Sequence, residues 1–274
     1  MTDVKNIGPI PQIGYGTWNR SGDEAYNGVM AALDIGYRHI DTAEGYNNEE
    51  FVGKAIADSP VARDDIFLTT KVAPESFAPG QIRGHVEASL KKLRTDQVDM
   101  LLLHYPAIND EYDIEDYVGQ LAAIYDAGLT KSIGVSNFTI RHLSRAIELL
   151  GDRPIATNQC EIHVYLQNHP IVDFTKSKSI SMTAYSPLAR GAVADDELLN
   201  AIGKGHDASA SQIALAFLMA EGHIVIPSSG NAKRNAENFA AKDIELSAKE
   251  VVQIRGLEKN MRLVNGPWCP KWDE

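Results

Sequence analysis

The chain has 274 residues, 44% of them apolar, enough for one large domain or two small ones around a sizeable core. Its 26 basic and 37 acidic residues give a net charge of -11 with no Lys/Arg block, which excludes nucleic acid and anionic membrane as expected partners. Met1-Thr2-Asp3-Val4-Lys5-Asn6 lacks the basic start and apolar core of a signal peptide, and no apolar run approaches the ~18 residues of a spanning helix, so the expected location is cytoplasmic.

Residues 1–11, with Gly8-Pro9 in the turn, predict a tight N-terminal hairpin. Residues 12–15 read as a strand and 23–33 as a helix with Ser21 and Gly22 before it; 38–41 is the next strand and 48–57 the next helix. A strand over 66–71 runs into Val72-Ala73-Pro74, and Ile82, Val86, Leu90 and Leu93 mark a helix over 81–93 by their spacing. Residues 98–104 are apolar enough for a strand covered on both faces, and a helix over 114–127 stops at Gly128. The alternation continues with a strand at 131–136, a helix at 140–150 closed by Gly151, a strand at 155–160, a helix at 170–177 and a strand at 180–185. A capping box from Ser209 to Gln212 opens a helix through Leu215, Leu218 and Met219. A strand at 223–227 and helices at 232–239 and 247–257 follow, the last with the capping pair Ser247 and Glu250. Residues 258–274 form a tail with Trp268, Trp272 and no periodicity.

About eight strand-helix units predict an α/β fold, a (β/α)8 TIM barrel in a single domain over 1–274, its bottom plugged by the hairpin and its mouth covered by the tail, whose two tryptophans need a surface to pack on. A doubly wound sheet would alternate in the same way. However, Gly14-Tyr15-Gly16 runs into Thr17-Trp18-Asn19 without a third glycine, and a Walker A loop is absent, so neither nucleotide fingerprint of such sheets is present. Two cysteines, Cys160 and Cys269, occur without Cys or His at metal-ligand spacing; no disulfide and no metal site are expected, and each reads as an incidental small side chain.

In a parallel barrel every strand C-terminus points to one mouth, so Asp41, Lys71, His104, Ser136-Asn137, Gln159, Tyr185 and Pro227-Ser228 converge there. In His39-Ile40-Asp41-Thr42-Ala43-Glu44-Gly45-Tyr46 a short strand delivers a carboxylate and a phenol five residues apart, with Gly45 letting the loop turn sharply. A phenol is a poor acid or base near neutrality; an adjacent Lys71 ammonium would lower the pKa of Tyr46, while Asp41 would hold Lys71 charged. A neutral His104 would donate to a carbonyl oxygen. The plainer readings are an Asp41–Lys71 structural ion pair, a core His104 and a surface Tyr46.

These stretches resemble the aldo-keto reductase family from about Gly14 to Trp272. The motifs that carry the likeness are Gly36-Tyr37-Arg38-His39-Ile40-Asp41-Thr42-Ala43 with Tyr46, Thr69-Thr70-Lys71, Leu103-His104-Tyr105-Pro106 and Gly134-Val135-Ser136-Asn137-Phe138. Ile226-Pro227-Ser228-Ser229 and the tail through Trp272-Asp273-Glu274 look like the bacterial 2,5-diketo-D-gluconate reductase B branch, which also reduces methylglyoxal.

The resemblance implies a catalytic tetrad of Asp41, Tyr46, Lys71 and His104, with Tyr46 as proton donor and NADPH as cofactor, NADH being a weaker alternative. It implies a nicotinamide held by Ser136, Asn137 and Gln159 and stacked on Tyr185. Ser186, Leu188 and Gly191 would line the pyrophosphate, and Pro227, Ser228, Ser229, Arg234, Glu237 and Asn238 the adenosine end, with Gly16, Thr17 and Trp18 completing the cofactor cleft. Substrate walls would be Trp18, Tyr46, His104, Tyr105 and Trp268. Ser228 stands where many members carry Lys, and Tyr105 where Trp is commoner.

The expected partner is a small carbonyl compound such as methylglyoxal or a keto-sugar acid. No exposed heptad calls for self-association, so a monomer is expected. The alternatives are a Schiff-base isomerase or aldolase on the same barrel, and an NADP-binding sensor or subunit without turnover.

Overall fold

The structure, a computed structural model, describes residues 4–273; residues 1–3 of the expected hairpin and residue 274 of the tail lie outside it. β1 (Asn6–Ile7) and β2 (Ile10–Pro11) pair antiparallel with Ile7 opposite Ile10, as the Gly8-Pro9 turn predicts. Ile10 packs on Met100, Leu102 and Ile224, close to where their strands begin, so the hairpin closes the bottom of the fold with apolar surface.

Eight strands follow in parallel and in sequential order: β3 (Tyr15–Gly16), β4 (His39–Asp41), β5 (Phe67–Val72), β6 (Met100–Leu103), β7 (Ile133–Ser136), β8 (Ile155–Glu161), β9 (Ser181–Tyr185) and β10 (Ile224–Val225). The sheet curls until Ile13 bridges Val225, with Gly14 N donating to Val225 O at 2.8 Å and Val225 N to Gln12 O at 2.9 Å. This is the (β/α)8 barrel that the alternation predicts. At that seam the expected strands 12–15 and 223–227 shrink to two residues each, because only a few hydrogen bonds join them.

Outside the barrel lie α1 (Gly22–Ile35), α2 (Glu49–Asp58), α3 (Ile82–Leu93), α4 (Ile114–Asp126), α5 (Ile140–Leu150), α6 (His169–Ser177), α7 (Glu197–Gly205), α8 (Ala210–Ala220), α9 (Ala232–Ala240) and α10 (Ala248–Arg255). Capping boxes open α8 at Ser209 and α10 at Ser247, and Gly128 and Gly151 take positive φ just past α4 and α5. Ser21 precedes α1 but its side chain makes no cap bond. Sequence reading leaves α7 out; Asp196 starts it by accepting from Leu199 N at 3.0 Å, and Leu199 and Ile202 supply its buried face. No helix of the described residues is long and apolar enough to cross a membrane.

Strand side chains alternate with a period of two, and this alternation positions the site. From the bottom upward the inward set reads Met100, Leu102, His104 from β6 and the residue after it, His39 and Asp41 on β4, Thr69 and Lys71 on β5, Thr157 and Gln159 on β8, and Thr183 and Tyr185 on β9. The pairing bears this out: His39 Nε2 lies 3.1 Å from Thr69 Oγ1 and Thr157 Oγ1 2.8 Å from Thr183 Oγ1. The barrel therefore grades from an apolar floor through a hydroxyl layer to ionisable groups at the top. Gly134 belongs to this packing, since a Cβ there would stand 2.7 Å from both Leu102 Cδ2 and Thr157 O. Gly134→Ala should destabilise the protein by about 1–3 kcal/mol through overpacking. An unchanged urea midpoint would contradict the inward packing of β7.

Candidate active site

Strand β4 ends at Asp41, and a short 3-10 turn, Glu44–Tyr46, brings the phenol back over the mouth. Gly45 is not what makes the turn: it has no unusual φ, and the left-handed residue is Asn47 at φ 54°. An asparagine tolerates that conformation better than most side chains. Glu44 fixes the turn from outside, accepting from Ala73 N at 2.6 Å and Ser76 Oγ at 3.0 Å.

Lys71 is fully buried near the end of β5, and its Nζ donates to Asp41 Oδ1 at 2.5 Å, Thr42 O at 2.8 Å and the Tyr46 hydroxyl oxygen at 3.3 Å. Three acceptors match the three protons of an ammonium. Gln159 Nε2 donates to Asp41 Oδ2 at 2.8 Å, so both carboxylate oxygens are engaged. The His104 ring lies edge-on to Tyr46 with centroids 5.5 Å apart. Because the tyrosine oxygen accepts from Lys71, its own proton is free to point toward the cavity.

The electrostatics correct one expectation. Lys71 does not pull the phenol down: burial, then the charge of Asp41, pushes Tyr46 well above the usual tyrosine range. Burial also depresses Lys71, with Asp41 opposing it. His104 is held far below the usual histidine range by burial and by Lys71, which leaves a neutral imidazole as expected. The group is thus an un-ionised phenol beside a neutral imidazole, backed by a buried ion pair.

A cavity of about 1170 Å3 opens over this group. It is lined by Asp41, Tyr46, His104, Asn137, Gln159 and Tyr185 at the strand ends, and continues past Ser186, Leu188 and Gly191 to Pro227, Ser228, Ser229, Arg234, Glu237 and Asn238. Gly16, Trp18, Tyr105 and Trp268 line it as well. Three expected members do not reach it. Lys71 sits behind Tyr46; Thr17 is buried with an unpartnered Oγ1; and the Ser136 hydroxyl donates to Gln159 O at 2.8 Å, supporting the wall rather than forming it. Asn137 is also largely committed, donating to His104 O at 3.0 Å and accepting from Tyr185 OH at 2.9 Å.

Sequence reading missed Asn19, Arg20, Arg190, Ser209, Ser211, Asn231 and Val264, all of which line the cavity. Most come from loops without periodicity. Two carried a local signal, as helix caps: Ser209 opens α8 with its capping box, and Asn231 caps α9 by accepting from Lys233 N and Arg234 N. Arg190 lies 5.7 Å from the Trp18 ring across the cleft. Its loop is strained, with Ser186, Ala189, Arg190 and Gly191 all at positive φ, a pattern typical of ligand-binding segments. Of the two tail tryptophans, Trp268 lines the cavity, whereas Trp272 packs under Arg262, 4.1 Å from its ring centre, and does not. Cys160 lies inside β8, its thiol pushed up to about 12 by burial.

Residues 12–259 match the model of the Aldo/keto reductase family. Methylglyoxal reductase DkgB of Salmonella typhi is 41% identical over 265 residues, 96% of this chain and 99% of that protein. Methylglyoxal reductase DkgA of Escherichia coli (strain K12) is 35% identical over 260 residues, 94% of this chain and 93% of that protein. Among solved structures, one described as a 2,5-diketo-D-gluconic acid reductase B superimposes with a TM-score of 0.93 at 39% identity, covering 97% of this chain and 94% of that one. The aldose reductase from Schistosoma japonicum gives 0.88 at 33% identity, covering 93% and 91%.

Proposed function

The chain belongs to the aldo/keto reductase family and is an oxidoreductase of carbonyl compounds; on that premise we propose that it reduces small aldehydes and ketones with NADPH, using Tyr46 as proton donor. The observation that carries this reading is the contact of Lys71 Nζ with both Asp41 and the Tyr46 oxygen at the wall of a large cavity.

The residues present fit a dinucleotide. Ser228 Oγ is buried without a partner beside the cavity, and Gly16 leaves room there because a Cβ would come within 2.9 Å of Ile226 O. Gln159 Oε1 makes no hydrogen bond among the described residues, its Nε2 being used on Asp41, and can accept from an amide N–H. Tyr185 offers a ring face, and Arg234 makes no ion pair among the described residues. When bound, NADPH supplies the hydride that reduces the carbonyl carbon.

The chain's own residues do the rest. His104, neutral and inside the cavity, donates to the carbonyl oxygen and orients it. Tyr46, kept protonated by its surroundings, gives its proton to that oxygen as negative charge develops. Lys71 then stabilises the phenolate through the contact it already makes, and Asp41, fixed by Gln159, keeps the ammonium in place. A Schiff base at Lys71 is disfavoured: the amine is fully buried and its three donor positions are taken.

The walls Trp18, Tyr105, Val264 and Trp268 are mostly aromatic and partly open, which suits small carbonyls. Methylglyoxal and keto-sugars related to 2,5-diketo-D-gluconate are the proposed substrates. NADPH consumption on adding methylglyoxal tests this; binding of NADPH without any consumption would favour the sensor reading.

Cofactor choice has its own test. Ser228 leaves Arg234 as an exposed guanidinium at the start of α9, where phosphate is also favoured by the helix terminus. Arg234→Ala should weaken NADPH by roughly 1.5–3 kcal/mol in a fluorescence titration and NADH far less. Equal losses would show that Arg234 does not read the 2'-phosphate.

A further inference from the structure

Glu161, at the end of β8, is fully buried and plays no part in the reaction described above. Its Oε1 accepts from Leu263 N at 2.8 Å and from His163 Nε2 at 3.0 Å, and its Oε2 accepts from Val264 N at 2.8 Å. A buried carboxylate is tolerated only where donors satisfy it, and two of these donors are backbone amides of the C-terminal tail. That stretch of tail has no regular secondary structure to hold its path.

We propose that Glu161 is a positioning residue that sets substrate selectivity by anchoring the C-terminal tail, and with it Val264 and Trp268, over the mouth of the cavity. The proposal rests on the reading that these two residues bound the substrate.

The geometry links the anchor to both sides of the site. Glu161 pairs in register with Tyr185 and lies two residues beyond Gln159, which holds Asp41. The strand that orders the reacting groups therefore also orders the wall opposite them. From the anchor to Trp268 the chain is short and tightly folded. Cys269 N donates to Gly266 O at 2.9 Å, and the Trp268 ring lies against Gly266 so closely that a Cβ there would stand 2.3 Å from it. A second brace holds the start of the tail, where Arg262 donates to Asn168 Oδ1 at 2.7 Å and Asn168 Nδ2 to the backbone oxygen of Glu161 at 2.6 Å. Burial alone would raise the Glu161 carboxyl, yet His163 and the two tail amides hold it below the usual glutamate range, so it serves as a charged acceptor.

The test combines amide hydrogen exchange with turnover in Glu161→Gln. Replacing one carboxylate oxygen by an amide nitrogen removes at least one charge-assisted bond, so exchange at Leu263 and Val264 should quicken by roughly tenfold or more. The ratio of kcat/KM for methylglyoxal to that for benzaldehyde should shift by about threefold or more, mostly through KM, with NADPH affinity changed less than about twofold. Unchanged exchange overturns the anchor. So does an equal fall for every substrate, which would make Glu161 a support of the fold alone.

If Glu161→Gln does not fold, Leu263→Pro removes a donor to Glu161 from the tail side at a residue that does not line the cavity; exchange is then read at Val264, and the turnover readings are unchanged. The exchange measurement needs no substrate. Absence of turnover in the unsubstituted protein would therefore overturn the carbonyl-reduction reading, whereas fast exchange at both amides in that protein would overturn the anchor.

Discussion

Tyr46→Phe is expected to lose about 100- to 10,000-fold in kcat with methylglyoxal, the range by which a positioned general acid accelerates proton transfer. The phenyl ring keeps the edge-on packing against His104, so the cavity retains its shape and only the hydroxyl is removed. NADPH should still bind, because the remaining cavity extends well away from Tyr46 toward Ser228 and Arg234. Quenching of Trp18 or Trp268 fluorescence reports that binding. A fall in kcat with unchanged affinity is the signature of an interaction made only in the transition state. Near-normal turnover would remove Tyr46 from the chemistry and leave it a cavity wall.

Lys71→Met should have the largest effect on stability, and its effect on turnover should separate from it. Methionine fills a similar volume but strands the buried Asp41 carboxylate, leaving it only Gln159 as a side-chain partner among the described residues. Breaking a buried ion pair from one side typically costs about 3–5 kcal/mol. The double variant Asp41→Leu with Lys71→Met removes both charges and should recover much of that loss. It should not recover turnover, because the phenolate that Tyr46 becomes would still lack its cation. Recovery of both together would show that the pair only supports the fold. Thermal unfolding and steady-state rates on the two variants decide this.

How far the sequence leads depends on which physical signal each feature uses. The barrel is legible because strand and helix patterns alternate along the chain, and the convergence of Asp41, Lys71, His104, Gln159 and Tyr185 follows from parallel strands with a period of two. Helix α7 escapes because Gly203, Gly205 and Asn200 dilute a short apolar face. The direction of the Tyr46 shift escapes for a different reason: spacing shows that Lys71 is near, but the outcome depends on how deeply the group is buried. The turn assigned to Gly45 belongs to Asn47, since glycine permits a left-handed backbone without requiring it. Arg20 and Arg190 reach the cavity from loops whose paths no periodicity encodes. The anchoring role of Glu161 carries no local signal either, because the tail amides it holds lie some hundred residues further along, at Leu263 and Val264.

The central claim, carbonyl reduction at the Asp41–Tyr46–Lys71–His104 group, is tested most directly by following the transferred hydrogen. NADPH deuterated at the transferring position of the nicotinamide is incubated with the protein and methylglyoxal, and the alcohol is analysed by mass spectrometry. The account predicts that the alcohol carries deuterium on the former carbonyl carbon and that Tyr46→Phe forms almost none of it. An unlabelled product, or NADPH that binds and is never consumed with methylglyoxal or any other small carbonyl, would contradict it.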